Sequence, residues 1–232
     1  LTAACDDGGG SRELRNFFVR SSEVQFIDDW HVLGLAGTGS KSVKVDGAFA
    51  PARRSVRYDD ILRGTAPGSR VHPNYSICRA PRRYLTAFSI TPVIVGLANR
   101  ALDLTADTLR SRLHAGSVPD DFEIVQQKVA ESAAEVSTVN LIFETHLRRN
   151  VGTLDAGGII GEADIARNRL MASYMIRLAK QAIERLCSIS GSRWIFNSHP
   201  MQVILRDALA GVTHRSYNWE TIAREYSQSI GV

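Results

Sequence analysis

Six apolar residues in the C-terminal part of the chain, Met201, Ile204, Leu205, Ala208, Leu209 and Val212, recur three and four positions apart. That spacing predicts a helix with one buried face over about 200–214. Ser198 stands where an N-cap is expected, and Pro200 falls inside the first turn, where its missing N–H costs nothing. Arg206, Asp207 and His214 are then polar groups on a helix that must pack against something. His214 lies near the end of that helix. From the residues alone it is either a C-terminal cap that complements the helix dipole, the commoner role, or an imidazole projecting into a pocket.

Three longer helical patterns precede it. The first runs from Tyr84 to Leu113, with Pro92 as a kink or first-turn residue and a stripe of Val93, Leu97, Ala101, Leu104 and Thr108. The second follows Asp120-Asp121 and covers Phe122 to Arg149, with Val125, Val129, Val136, Val139, Phe143 and Leu147 expected on its inner face. Gly157-Gly158 breaks the chain. The third spans about Glu162 to Ile189 and carries Leu170, Tyr174, Leu178, Ala182 and Leu186. Four helices joined by short loops predict an antiparallel bundle.

The pattern changes period before residue 58. Leu1 to Gly10 leads into a hairpin, and Asn16 to Val19 is a short extended run. Glu23 to Ile27 and Lys41 to Asp46 alternate with period two, which places Val43 and Val45 on one face. Gly34, Gly37 and Gly39 supply loop freedom between them. Gly37-Thr38-Gly39-Ser40-Lys41 lacks the spacing of a Walker loop and no helical pattern follows it, so it is not a nucleotide-phosphate loop. Residues 58–83, rich in Arg, Pro, Gly and Ser, are expected to connect the two parts. The division is therefore 1–57, 58–83 and 84–232.

Composition adds constraints. The 232 residues are 44% apolar and 22% charged, enough for a sizeable core. The formal net charge of +4 comes from scattered arginines, with Lys only at 41, 44, 128 and 180, so a nucleic-acid surface is not expected. Cys5, Cys78 and Cys187 are too widely spaced for a metal site or a disulfide framework, which fits reduced thiols and a cytoplasmic protein. No uninterrupted apolar run approaches the ~18 residues of a membrane span, and no signal-peptide pattern begins the chain. The chain starts without an initiator methionine, and a further N-terminal region is expected to be missing from it.

Two stretches resemble a known family. Pro200-Met201-Gln202-Val203, Arg206-Asp207, His214, Trp219-Glu220 and Tyr226-Ser227 are similar to the C-terminal signature of flavin-dependent monooxygenases built on the acyl-CoA dehydrogenase fold. Val203 stands where that signature has an arginine and Ser227 where it has a glycine. Asp28-Asp29-Trp30, Gly34-Leu35-Ala36-Gly37-Thr38-Gly39-Ser40, Val43 to Asp46 and Phe49-Ala50-Pro51 resemble, in order, the last strands of the family's middle β-domain. For Trp30, core packing is the plainer expectation than contact with substrate.

The resemblance implies a mainly helical α+β chain: the end of an acyl-CoA dehydrogenase-like middle β-domain followed by a C-terminal antiparallel four-helix bundle, without the family's N-terminal helical domain. It implies that Arg112, near the end of the first long helix, reaches a flavin phosphate, although Ala115 replaces the family's phenylalanine. A guanidinium suits that task because its fork pairs two phosphate oxygens. Ser190, Gly191 and Ser192 fall where relatives place a small-residue loop against the flavin; a plain helix stop would read the same way. Gln126 occupies a glutamine position of the family, and exposure is its expected fate.

His214 separates the two chemistries of the fold. Acyl-CoA dehydrogenases carry a glutamate base seven to ten residues beyond Arg-Asp-Ala; the corresponding position here is Arg215, preceded by His214. Arginine cannot remove a proton at neutral pH. The resemblance thus implies the oxygenase component of a two-component monooxygenase. FMNH2, with FAD the alternative, would come from a separate flavin reductase and react with O2 to give a C4a-hydroperoxide, which hydroxylates a small, apolar, phenolic substrate. His214 would contact the substrate hydroxyl. A homotetramer is implied, and neither metal, nucleic acid nor membrane. Two readings stay open: an FAD-dependent acyl-CoA dehydrogenase or oxidase, and a non-catalytic fragment that oligomerises through its bundle.

Overall fold

In a computed structural model, residues 1–6 and 12–232 are described. Contacts divide the chain into two units. One comprises 1–31, 37–85 and 149–161, the other 32–36, 86–148 and 162–232.

The first unit holds the strands. β1 (Thr2–Asp6) pairs antiparallel with β2 (Arg12–Phe17), which pairs antiparallel with β5 (Ser55–Arg57), giving the order β1-β2-β5. The expected hairpin is therefore present in its strands; its turn, 7–11, lies outside the described residues. Thr2 faces Asn16 and Arg15 faces Arg57 in this register. Two adjacent arginines would repel, and Glu13 offsets them by pairing with both Arg15 and Arg57. A separate pair, β3 (Gln25–Phe26) and β4 (Val43–Lys44), is shorter than the alternating stretches suggest. Trp30 is half-buried beside these strands in sequence, not in a core.

Residues 58–83 form short helices. α1 (Tyr58–Arg63) ends at Gly64, which has φ +73 and whose Cα lies against the Arg79 carbonyl; a Cβ there would be 2.1 Å from that oxygen. Only glycine meets both demands. α2 (Gly68–Val71) and α3 (Arg82–Thr86) follow, and Arg79 ties the segment down by donating to the carbonyls of Pro73 and Leu154.

The second unit is helical: α4 (Thr91–His114), α5 (Phe122–Asp155, whose last turns belong to the first unit), α6 (Glu162–Ser188), α7 (Pro200–Val212) and α8 (Trp219–Ser229). The chain is mainly helical with a small sheet, as expected. Several finer expectations change. The buried stripe of α4 is Thr91, Ile94, Val95, Ala98, Ala101 and Thr105, and Val93 is exposed. α6 is buried on most of its circumference, packing on α4, α7 and α8, while Tyr174 is 45% exposed. On α5, Val136 and Val139 are buried as expected, but Leu147 is exposed, and so is Gln126. α8, a fifth long helix, is an addition; Asn218 caps it by accepting from the Thr221 amide at 2.9 Å.

By length and composition 82–114 would cross a bilayer, yet α4 instead lays Ile94, Val95, Ala98 and Ala101 into the core shared with Val139, Met175, Ile183 and Ile204.

Two polar features of this unit predict measurable behaviour. Arg185 on α6 reaches both carboxylate oxygens of Glu135 on α5, at 2.5 and 2.9 Å, and Glu131 at 3.0 Å. Both Arg185 and Glu135 are largely sheltered from water. A double-mutant cycle with Arg185→Met and Glu135→Gln should give a coupling energy of about 1–3 kcal/mol in favour of the pair. A coupling indistinguishable from zero would show that solvent screens the pair. Burial, with a smaller contribution from Glu184, pushes the Cys187 thiol up to about 11. Cys5 and Cys78 are half-exposed, so a disulfide-exchange reagent should label two thiols quickly in the native protein and Cys187 only on unfolding.

Candidate functional site

The start of α7 differs from its sequence reading in a way that creates a site. The N-cap is His199, not Ser198: Pro200 occupies the first helical turn, and the His199 Nδ1 accepts a hydrogen bond from the Met201 amide at 3.2 Å. With Nδ1 as acceptor, the neutral ring carries its hydrogen on Nε2. His199 is half-buried and lines a narrow pocket with Leu104, Thr108 and Arg112 from α4 and Ser190 just after α6. Arg112 and Ser190 are thus brought together, although 78 positions separate them in the chain.

The chemistry of the pocket is that of an anion site. The Arg112 guanidinium makes no side-chain hydrogen bond or ion pair among the described residues and is half-buried. The Ser190 hydroxyl donates to the Leu186 carbonyl at 2.8 Å, so it offers an anion no hydrogen while that bond stands. No carboxylate is among the lining residues. The enclosed space is about 10 Å³, about one water molecule or one phosphate oxygen and far less than a flavin ring. Beside it a shallow depression, lined by Asp107, Ser111, Ala115 and Ser117, shares Arg112. The Asp107 carboxylate in that depression is paired with Arg110 at 2.6 Å, so the residues present fit the phosphate end of a flavin. Gly191, with φ +76, lies three residues beyond the end of α6 as the N-cap of a short 3-10 helix that Ser192 opens; both are exposed and neither lines the pocket.

His214 lies elsewhere in the same unit. α7 stops at Val212, and His214 is not on the helix but caps the 3-10 turn Arg215–Tyr217. Its Nδ1 accepts from the Ser216 amide at 3.2 Å, so Nε2 again carries the hydrogen. The ring is exposed and leans on Tyr217, with ring centroids 5.9 Å apart. Tyr217 is a buried hub. Its hydroxyl donates to the Thr86 carbonyl at 2.9 Å and accepts from the Ile90 amide at 3.1 Å, and its carbonyl accepts from Ser173 at 2.9 Å. This anchor of the His214 turn is absent from the sequence reading.

The Arg206-Asp207 pair has a local task. Asp207 accepts from the Leu35 amide at 2.6 Å, and Leu35 holds φ +55, unusual for a residue with a side chain. Gly34 is pressed against α7: a Cβ on it would lie 2.1 Å from the Arg206 carbonyl oxygen. The Gly34-Leu35 stretch and the Arg-Asp of α7 are thus two halves of one contact.

Residues 88–219 match the family model described as acyl-CoA dehydrogenase, C-terminal domain, which is more than half of the chain. The chain belongs to that family. Among curated proteins, the oxygenase component of an FADH2-dependent resorcinol hydroxylase from Rhizobium sp. (strain MTP-10005) is 29% identical over 91% of this chain and 54% of its own length. The chain thus spans about half the length of that relative. Among solved structures, the 3-HSA hydroxylase of Rhodococcus sp. RHA1 superposes with a TM-score of 0.90 at 24% identity, over 100% of this chain and 60% of the other. The HsaA monooxygenase of M. tuberculosis gives 0.87 at 25% identity, over 97% of this chain and 59% of the other. The family's fold is therefore shared throughout the helical unit that holds Arg112, His199 and His214.

Proposed function

We propose that this chain is part of the oxygenase component of a two-component, reduced-flavin-dependent monooxygenase that hydroxylates a small aromatic substrate. The observation that carries the reading is the turn after α7, which holds His214 and Arg215 and no carboxylate between Asp207 and Glu220, where the resemblance puts a dehydrogenase's base. Relatives named as oxygenase components of hydroxylases support it. Arg112 would hold the flavin phosphate, and Ser190 would join it by turning its hydroxyl away from the Leu186 carbonyl, with Gly191 and Ser192 in the turn beyond them. Reduced flavin, when bound, would supply the two electrons that split O2, one oxygen going to the substrate and the other to water. A separate flavin reductase would deliver it, as FMNH2 in the resemblance and as FADH2 if the Rhizobium relative is the better guide. The same reading carries a homotetramer built on the α4–α7 helices, a mass that light scattering would read directly.

The tautomer set by Ser216 defines the task of His214. Nε2–H is a donor, so it stabilises a phenolate oxygen and favours loss of the phenol proton; it does not begin as an acceptor. A phenolate pushes electron density onto the neighbouring ring carbon, where hydroxylation is easiest. His214→Ala is expected to lower product per reduced flavin by roughly 10²–10⁴-fold, the usual contribution of such a group, with flavin affinity changed less than three-fold. Rapid mixing with FMNH2 or FADH2, O2 and a panel of phenols measures both. Unchanged product yield in the variant would remove His214 from the reaction. Arg112→Met should weaken flavin binding about ten- to a hundred-fold, the loss of one charge-assisted contact; equal affinity would place the flavin elsewhere.

A further inference from the structure

The first amides of α7 are already satisfied: Met201 donates to the His199 side chain and Gln202 to the His199 carbonyl at 3.1 Å. An anion in the adjoining pocket is therefore met by side chains and not by the helix end. Two side-chain donors line it, Arg112 from α4 and His199 from the entry to α7. The His199 ring is fixed at one edge by its cap and retains one N–H, at Nε2, for a ligand. The pocket volume of about 10 Å³ admits a single oxygen, with the rest of a tetrahedral group lying in the adjoining depression.

We propose that His199 and Arg112 together clasp one phosphate group of the flavin, His199 donating from Nε2, and that this clasp makes the protein select phosphorylated flavin over riboflavin. The inference rests on the flavin reading above and adds to it the residue that decides which flavin is taken. His199 belongs to no segment that the family resemblance marks for the cofactor, and its two ring nitrogens divide the work. One holds the helix start and the other reads the ligand.

That division sets the test. His199→Asn keeps an acceptor at the N-cap, because asparagine is among the best capping residues, but its short side chain lacks the reach of Nε2. His199→Ala loses both functions. Anaerobic equilibrium dialysis with reduced FMN and reduced riboflavin reads selectivity, and thermal unfolding reads the cap. Wild type is expected to bind reduced FMN at least about ten-fold tighter than reduced riboflavin, the worth of a charge-assisted hydrogen bond. In His199→Asn the preference should fall to about two-fold, with riboflavin affinity and unfolding midpoint unchanged; only His199→Ala should also melt earlier. Inorganic phosphate should compete with FMN in wild type and not in His199→Asn. A His199→Asn protein that keeps the full preference overturns the proposal while the flavin reading survives. If neither flavin binds wild type but inorganic phosphate still shifts the His199 ring resonances, the clasp stands and the flavin reading falls. If neither flavin nor phosphate binds, both are overturned.

Discussion

Tyr217→Phe should lower the stability of the helical unit by about 1–3 kcal/mol, and Tyr217→Ala by about 3–5 kcal/mol. The phenylalanine variant keeps the ring and removes one oxygen. That oxygen serves two backbone groups at the joint between α3 and α4, the Thr86 carbonyl and the Ile90 amide. Both lie where the backbone passes from one helix to the next, and Ile90 sits at the N-cap of α4. Without the hydroxyl, the Thr86 carbonyl keeps its bond from the Ser89 hydroxyl at 3.0 Å, while the Ile90 amide loses the Tyr217 acceptor, which costs more than the net worth of the bond that was lost. The alanine variant adds a cavity beside Ser173, whose hydroxyl approaches the same residue's carbonyl. At about 2–4 °C per kcal/mol for a unit of this size, the phenylalanine variant should melt roughly 2–12 °C below wild type. Calorimetry decides, and an unchanged midpoint would mean that solvent reaches these groups. Because the ring of His214 leans on Tyr217, the alanine variant should also lose the fixed geometry of that imidazole.

The second large effect is expected at Gly34. A methyl group there would stand 2.1 Å from the Arg206 carbonyl oxygen and 2.7 Å from the Asp207 nitrogen, both backbone atoms of α7 that cannot step aside as a side chain could. Gly34→Ala must therefore lift residues 32–36 away from α7 and break the Asp207–Leu35 hydrogen bond. The expected cost is about 3 kcal/mol, the upper range for overpacking. It is capped by the free energy of detaching the segment, since a detached loop feels no clash. Hydrogen exchange at the Leu35 amide should speed up sharply and a protease should cut within 32–40, with α6 protection little changed. Wild-type exchange in the variant would show that α7 shifts to make room. Asp207→Ala tests the same joint from the other side: it removes the acceptor of the Leu35 amide without adding a clash, and should give the same pattern in weaker form.

Much of this architecture was legible because amphipathic spacing is strong in α7, where Met201, Ile204 and Ala208 are buried as their recurrence requires. It was misleading in α4. Val93, Ile94 and Val95 are consecutive apolar residues, so the period alone does not say which one faces inward, and the stripe was placed about one residue off. α6 blurred for the opposite reason: a helix packed on several sides has no single face to find. α8 is shorter than α4 to α7, but behind its cap at Asn218 it does carry a stripe, Trp219, Ile222, Ala223 and Tyr226, at helical spacing. The cap of α7 was misplaced on Ser198 because serine is the better-ranked capping residue, yet Pro200 in the first turn fixes the cap one position before it. Reading that proline strictly would have found His199. Arg112 and Ser190 were named from resemblance; that they share a pocket depends on how α4 crosses the end of α6, which no local pattern encodes. Tyr217 was invisible, since its partners lie more than 120 residues away.

The bond between Asp207 and Leu35 joins positions 172 residues apart. During synthesis at about 5–20 residues per second, Leu35 therefore leaves the ribosome roughly 10–30 s before its acceptor has been made. Through that interval its left-handed turn lacks the Asp207 acceptor, and Gly34 has no α7 to lie against. The newborn polypeptide must carry this stretch without that fastening for the whole interval, which gives chaperones that guard exposed segments an opportunity there.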